Sequence, residues 1–288
     1  MVSVITLVFA VFVPTGAWVS AQETTSSGNY ASVNGLELYY ETYGEGDPLI
    51  LLHGGLGGIV DFSLLLPLLA ETRQVIAVEL QGHGHTGDID RPISYELMAD
   101  DIAALIEYLG FENADVLGFS LGGGVALQTA IRHPEVVRKL ILISTPFQRA
   151  GIHAEFLMGM DAMSAEGADQ MVGLPMHDFY LNTSPNPEAW STVVGKVGAL
   201  LQQDYDWSAD VANITLPTLI IVGDADMPYP AHALEMFSLL GGGVAGDFAG
   251  LPASQFAMLP GTTHFSILTR TDLLLPVIIP FLDAAMPE

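Results

Sequence analysis

The sequence predicts an α/β protein: a mostly parallel central sheet flanked by helices, with a helical cap inserted in the second half of the chain. Three observations predict it. Short, continuous apolar runs recur along the chain, as strands buried on both faces require. Segments with helical spacing alternate with those runs, the pattern of a doubly wound sheet. One interval, 146–215, breaks the alternation with short helical patches, five Met residues and repeated Pro/Gly breaks. It reads as an inserted cap rather than a second domain.

Taken in order, "LELYYETYG" (36–44) alternates like a half-exposed strand. The runs "PLILLHG" (48–54), "QVIAVEL" (74–80) and "ADVLGFS" (114–120) are central parallel strands. Between the last two, "YELMADDIAALIEYLG" (95–110) spaces Leu97, Ile102, Leu105, Ile106 and Leu109 at helical intervals and stops at Gly110. Further strands are expected at "KLILIS" (139–144), "TLIIVG" (218–223) and "QFAMLPG" (255–261), and helices around "AHALEMFSLLGG" and "TDLLLPVIIPFLDAA". The core thus divides into 36–145 and 216–288 around the cap at 146–215. There are no tandem repeats.

Residues 1–21, "MVSVITLVFAVFVPTGAWVSA", are apolar, broken by Pro14 and Gly16, and end in the small-residue pattern Val19-Ser20-Ala21. They read as a signal peptide cleaved after Ala21, which makes the protein secreted or periplasmic with no lasting membrane insertion. A polar linker, 22–35, follows. Without Lys or Arg in its first residues the segment is an atypical signal, and a cytoplasmic protein is the alternative. Zero Cys removes disulfides, thiolate catalysis and Cys-ligated zinc together. Eight Lys+Arg against 33 Asp+Glu leave a net charge of −25, a field that repels nucleic acid and anionic lipid surfaces. The oligomeric state is left open.

The chemistry centres on "DVLGFSLGGGVALQTA" (115–130), in which a buried strand runs through Gly118-Phe119-Ser120-Leu121-Gly122 into a helix. A turn sharp enough to lift a serine clear of the sheet leaves no room for Cβ atoms at Gly118 and Gly122. Ser120 is therefore either a helix cap or a nucleophile at a helix N-terminus, where backbone N–H groups favour a developing oxyanion. A nucleophilic serine needs a base held by an acid. His264, in "LPGTTHFSIL" just past the last strand, is the candidate base. The other seven histidines sit in tight turns, at helix ends or in the cap. His83-x-His85 is at most half a metal site, and nothing nearby completes it. For the acid, "IIVGDADMPYP" places Asp224 and Asp226 beyond the carboxyl end of a buried strand, where the catalytic groups of open α/β sheets gather. Asp226, the further out, is preferred. In "LLHGGLGG", Gly55 can present its N–H beside that of Leu121, and the two donors would form an oxyanion hole. No metal-ligand set and no dinucleotide fingerprint is present, so no cofactor is expected.

"LLHGG", "LQGHGHTG", "VLGFSLGGGVAL", "HPEVVRKLILIS", "IVGDAD" and "PGTTHF" together resemble the α/β-hydrolase superfamily over roughly 36–282. The resemblance implies the α/β-hydrolase fold, a cap after the sixth strand and a triad of Ser120, Asp226 and His264. Serine at the elbow argues against the Asp- and Cys-nucleophile branches. Gln81 stands where many relatives carry Arg, a change that touches the packing of its loop. The expected activity is hydrolysis of a small-molecule carboxylic ester through an acyl-enzyme. A C–C bond hydrolase, lactonase or haloperoxidase-like enzyme on the same triad is the alternative, and a non-catalytic ligand receptor is the rival of another class. Phe147, Phe156, Met158, Met160, Met163, Met171, Met176, Phe179, Tyr180 and Trp190 in the cap supply apolar surface for a pocket or a core. The cap carries nine acidic residues against Arg149 and Lys196, so an uncharged substrate is expected.

Overall fold

The computed structural model describes residues 28–286. The segment read as a signal peptide lies outside the described residues. Eight strands form one sheet: β1 (Gly28–Val33), β2 (Leu36–Tyr43), β3 (Asp47–Leu52), β4 (Arg73–Val78), β5 (Ala114–Phe119), β6 (Val137–Ile143), β7 (Thr218–Ala225) and β8 (Gln255–Thr263). Their spatial order is β1-β2-β4-β3-β5-β6-β7-β8. The β1–β2 and β2–β4 pairs are antiparallel and the rest are parallel.

Two expectations are corrected. Gly28–Val33, within the stretch read as linker, pair with β2 to make an edge strand. Its sequence, GNYASV, lacks an apolar run because only Ala31 and Val33 are buried. β8 runs two residues beyond the expected 255–261, to Thr263, so His264 follows the strand end directly. Asp224 explains the extension: its carboxylate accepts the N–H groups of Gly261 (2.9 Å) and Thr262 (3.0 Å).

The helices are α1 (Leu66–Leu69), α2 (Tyr95–Tyr108), α3 (Leu121–Arg132), α4 (Ala154–Asp161), α5 (Pro175–Thr183), α6 (Trp190–Leu201), α7 (Ser208–Val211), α8 (Pro230–Leu239), α9 (Gly246–Ala249) and α10 (Thr271–Asp283). α4 to α7 fill the interval between β6 and β7. Ser94 caps the start of α2, its hydroxyl accepting the N–H of Leu97.

The central strands separate two apolar layers, and the alternation is visible residue by residue. Leu49, Leu51, Leu117, Ile141, Ile143, Leu219 and Ile221 face the layer that also holds Leu66, Leu69, Leu274 and Ile278. Ile50, Leu52, Val116, Leu140, Leu142, Ile220 and Val222 face the other, with α2, α3 and buried residues of α6. Strands covered on both sides need apolar residues at every position, which is why they read as continuous runs. The buried Lys139 ammonium donates to the carbonyls of Phe281 (3.0 Å), Leu282 (2.7 Å) and Ala284 (2.5 Å), satisfying the C-terminal end of α10.

Candidate active site

β5 delivers Ser120 into a tight turn with φ 54° and ψ −117°, a conformation costly for any residue with a Cβ. The surrounding glycines make it possible. A Cβ at Gly118 would run into the carbonyl of Gly122, and one at Gly122 into the carbonyl of Leu52. Ser120 N–H donates to Ile143 O (3.0 Å) and Gly122 N–H to His53 O (3.0 Å), so the turn is tied to strands on both sides. The Ser120 side chain makes no capping bond to α3. Its Oγ lies 3.0 Å from His264 Nε2 instead. Of the two roles the sequence left open, the helix cap is not the one adopted.

His264 Nδ1 lies 2.8 Å from Asp226 Oδ1. The structure therefore brings together Ser120, His264 and Asp226, which are far apart in sequence. Phe119 stacks on the imidazole (ring centroids 5.0 Å apart) and Phe156 meets it edge-on (5.7 Å). Asp226 also accepts hydrogen bonds from Ser144 Oγ (2.5 Å), Gly223 N–H (2.9 Å) and Met227 N–H (2.7 Å). Burial alone would raise this carboxyl's pKa. The hydrogen bond and charge of His264, with the Ser144 and Gly223 donors, outweigh it and hold the pKa below the ordinary value. Asp226 is thus a buried, ionised acceptor facing Nδ1.

Sequence reasoning missed Ser144. It ends the β6 segment with φ 54° and is wholly buried, and its hydroxyl orients the Asp226 carboxylate. The available signal was a lone hydroxyl at the carboxyl end of an otherwise apolar strand, one strand away from the serine turn.

The loop after β3 is pinned, not a flexible turn. His53 Nδ1–H donates to Gly54 O (2.7 Å), and its Nε2 accepts Leu80 N–H (3.1 Å). Burial pushes its pKa down to about 3, so the ring stays neutral in that tautomer. Gly57 N–H also bonds Gly54 O (3.2 Å). A Cβ on Gly55 would lie 3.3 Å from the Leu121 side chain, so the two candidate donors are neighbours. Among the described residues, neither the Gly55 nor the Leu121 N–H has a protein acceptor.

The remaining histidines have other partners. His83 Nδ1 bonds Gln81 O (2.9 Å), and His85 Nδ1 meets Glu79 (2.8 Å). His232 accepts Phe147 N–H (3.2 Å) and stacks on that ring. Gln81 bonds Asp88 (2.9 Å) and receives Arg91 Nε (2.7 Å), tying its loop together.

Ser120 opens on two cavities. The larger, about 340 Å³, is lined by Gly54, Gly55, Asp61, Met176, Phe179, His264 and Phe265, among others. The smaller, about 20 Å³, is lined by Tyr95, Leu121, Met160, Leu201, Tyr205 and Met227, among others. Of the apolar candidates in the insertion, Met176 and Phe179 face the first cavity and Met160 the second. Phe147, Tyr180 and Trp190 are buried in the core, and Met158 is exposed. In the larger cavity, burial and the nearby Glu79 charge push the Asp61 carboxyl up to about 7, against the backbone of Gly58 and Gly54.

A sharp serine turn between strand and helix, facing His and Asp at the carboxyl ends of later strands in a mostly parallel sheet, defines a hydrolase architecture. The chain belongs to the α/β-hydrolase superfamily: the family profile described as alpha/beta hydrolase fold matches residues 47–174. The pimeloyl-[acyl-carrier protein] methyl ester esterase of Photobacterium profundum is 32% identical over 226 residues, 69% of this chain and 84% of that protein. The 2-hydroxymuconate semialdehyde hydrolase of Pseudomonas sp. (strain CF600) is 33% identical over 146 residues, and the match spans about half of each chain (49% and 50%). Among solved structures, the enol-lactonase from Burkholderia xenovorans LB400 shares the fold with a TM-score of 0.68 at 21% identity, over 88% of this chain and 100% of that one.

Proposed function

We propose that this hydrolase cleaves uncharged carboxylic esters through an acyl-enzyme on Ser120. The observation that carries the reading is the continuous path Asp226 Oδ1, His264 Nδ1, His264 Nε2, Ser120 Oγ, at 2.8 Å and 3.0 Å. Ionised Asp226 accepts a hydrogen bond from His264 Nδ1–H, which fixes the tautomer that leaves Nε2 as the basic nitrogen facing Oγ. His264 takes the serine proton as Oγ attacks the carbonyl carbon. The Gly55 and Leu121 N–H groups receive the oxyanion. His264 then returns the proton to the departing alcohol, and water repeats the cycle on the acyl-serine.

The preference for uncharged substrates rests on where the cations are. Each of the eight Lys and Arg residues has its own partners: Arg73 pairs with Asp283, Arg91 with Asp101, Arg132 with Asp100, Arg138 with Asp115 and Asp47, Arg149 with Asp161, Lys196 with Asp88 and Arg270 with Asp272. Lys139 caps α10. None of them lines either cavity, whereas Asp61 lines the larger. A substrate carboxylate would meet no counter-ion there. The relative named as a semialdehyde hydrolase keeps C–C bond cleavage as the second reading.

The test is a fluorophosphonate probe read by intact mass, alongside turnover of a neutral ester and of a half-ester of a dicarboxylic acid. One adduct on the wild type, none on Ser120→Ala, and at least tenfold faster turnover of the neutral ester are expected. Folded protein that takes no label would point to the receptor. Faster turnover of the charged substrate would promote the C–C hydrolase.

A further inference from the structure

The two cavities at Ser120 differ in size, and His264 lies on the wall of the larger only. This difference assigns them. When Oγ has added to an ester carbonyl, the carbon carries four groups: Oγ, the oxyanion, the leaving alkoxide and the acyl chain. The oxyanion takes the Gly55 and Leu121 donors. The alkoxide must receive a proton from His264 Nε2, so it departs on the side His264 faces, into the cavity of about 340 Å³. The acyl chain is left with the other side, where the cavity measures about 20 Å³. That is room for little more than one water-sized group.

From this we infer that the enzyme is selective for esters of very short acids, acetyl above all, with larger apolar alcohols. The inference rests on the serine-esterase reading and adds to it which half of the ester carries the bulk.

The walls of the small cavity combine aromatic rings held by their neighbours with aliphatic side chains that can be shortened. Tyr95 and Tyr205 form its aromatic back. Tyr205 stacks on Trp207 (4.3 Å between centroids), and Tyr95 meets the same indole edge-on (5.1 Å). Tyr95 also lies so close to Gly124 of α3 that a Cβ there would strike its ring. That face is braced against the core. Met160 near the end of α4 and Leu201 at the end of α6 also line the cavity, and both are half-buried aliphatic side chains. Shortening either side chain extends the cavity outward without touching Ser120, His264 or Asp226.

The experiment measures kcat/KM for p-nitrophenyl acetate, butyrate and hexanoate on the wild type, Ser120→Ala and Leu201→Ala, and for ethyl, butyl and hexyl acetate on the wild type. With the leaving group constant, the wild type should lose about tenfold from acetate to butyrate and about a hundredfold to hexanoate, as overfilling a packed apolar pocket does. Lengthening the alcohol of an acetate should cost less than about threefold. Leu201→Ala should raise the butyrate-to-acetate ratio at least fivefold, and a Met160→Ala variant stands in if that protein does not fold. Turnover that depends on Ser120 but is flat or rising with acyl length overturns the size assignment and leaves the esterase reading intact. An unchanged ratio in both truncations overturns the role of this wall. Ester turnover that is absent, or that survives Ser120→Ala, removes the serine-esterase reading and this inference with it.

Discussion

Replacing Asp226 by Asn changes one atom and tests the site most sharply. The carboxylate accepts from His264 Nδ1 and Met227 N–H on Oδ1, and from Ser144 Oγ and Gly223 N–H on Oδ2. Three of these donors are N–H groups, distributed over both oxygens. An amide presents one oxygen and one NH2, so either orientation sets its NH2 against an N–H. With the NH2 toward Oδ1's position, Met227 loses its acceptor and His264 must turn Nδ1 into an acceptor, which protonates Nε2 and removes the base. With the NH2 toward Oδ2's position, Gly223 is left unpaired in a buried site. An orphaned buried donor costs about 1–3 kcal/mol of stability. The tautomer change should lower kcat/KM by about 10³–10⁴, or about 4–5.5 kcal/mol of transition-state stabilisation. The stability difference has a pH signature. The folded-state pKa of Asp226 lies below its unfolded value, so its ionised form contributes stability above about pH 4 that is lost as pH falls through the folded value. The gap between wild type and Asp226→Asn should be constant at neutral pH and narrow in acid. The assay is p-nitrophenyl acetate turnover at pH 8 together with thermal melts from pH 3 to 8, with Asp224→Asn as the control. A loss under tenfold for Asp226→Asn, or a greater loss for Asp224→Asn, would refute the assignment.

Two further outcomes follow from backbone and burial. Ser120→Gly should abolish turnover yet raise the melting temperature, because a Cβ at φ 54° costs about 1–3 kcal/mol while the entropy cost of glycine is about 0.5–1 kcal/mol; a lower melting temperature would count against strain at the turn. Asp61→Asn should stabilise the protein at pH 8 and not at pH 4, measured by denaturant melts. The folded carboxyl is raised to about 7, so its penalty accumulates between about pH 4 and 7 and is complete above that range, at most about 4 kcal/mol. An equal effect at both pH values would contradict the burial argument.

Much of this site was legible because its determinants are local. The glycines around Ser120 announce a tight turn by their absence of Cβ, and the doubly buried strands announce themselves by unbroken apolar runs. β1 escaped because an edge strand with two buried side chains has too little pattern to read. Ser144 escaped because its role is a single through-space hydrogen bond to a residue just past the end of the next strand.

Residue order and spacing by themselves determined the fold class, the serine turn, the following helix and the sequential placement of Ser120, Asp226 and His264, because backbone sterics and hydrophobic periodicity act over a few residues at a time. Only the tertiary structure shows what separates Asp226 from Asp224, which sit two residues apart with nearly the same local chemistry: one carboxylate turns inward to His264 and the other binds the β8 backbone. It also decided that every Lys and Arg has its partners away from the cavities, and that the space around Ser120 divides so unequally. Those outcomes depend on distances between side chains remote in sequence, which packing sets and spacing along the chain does not encode.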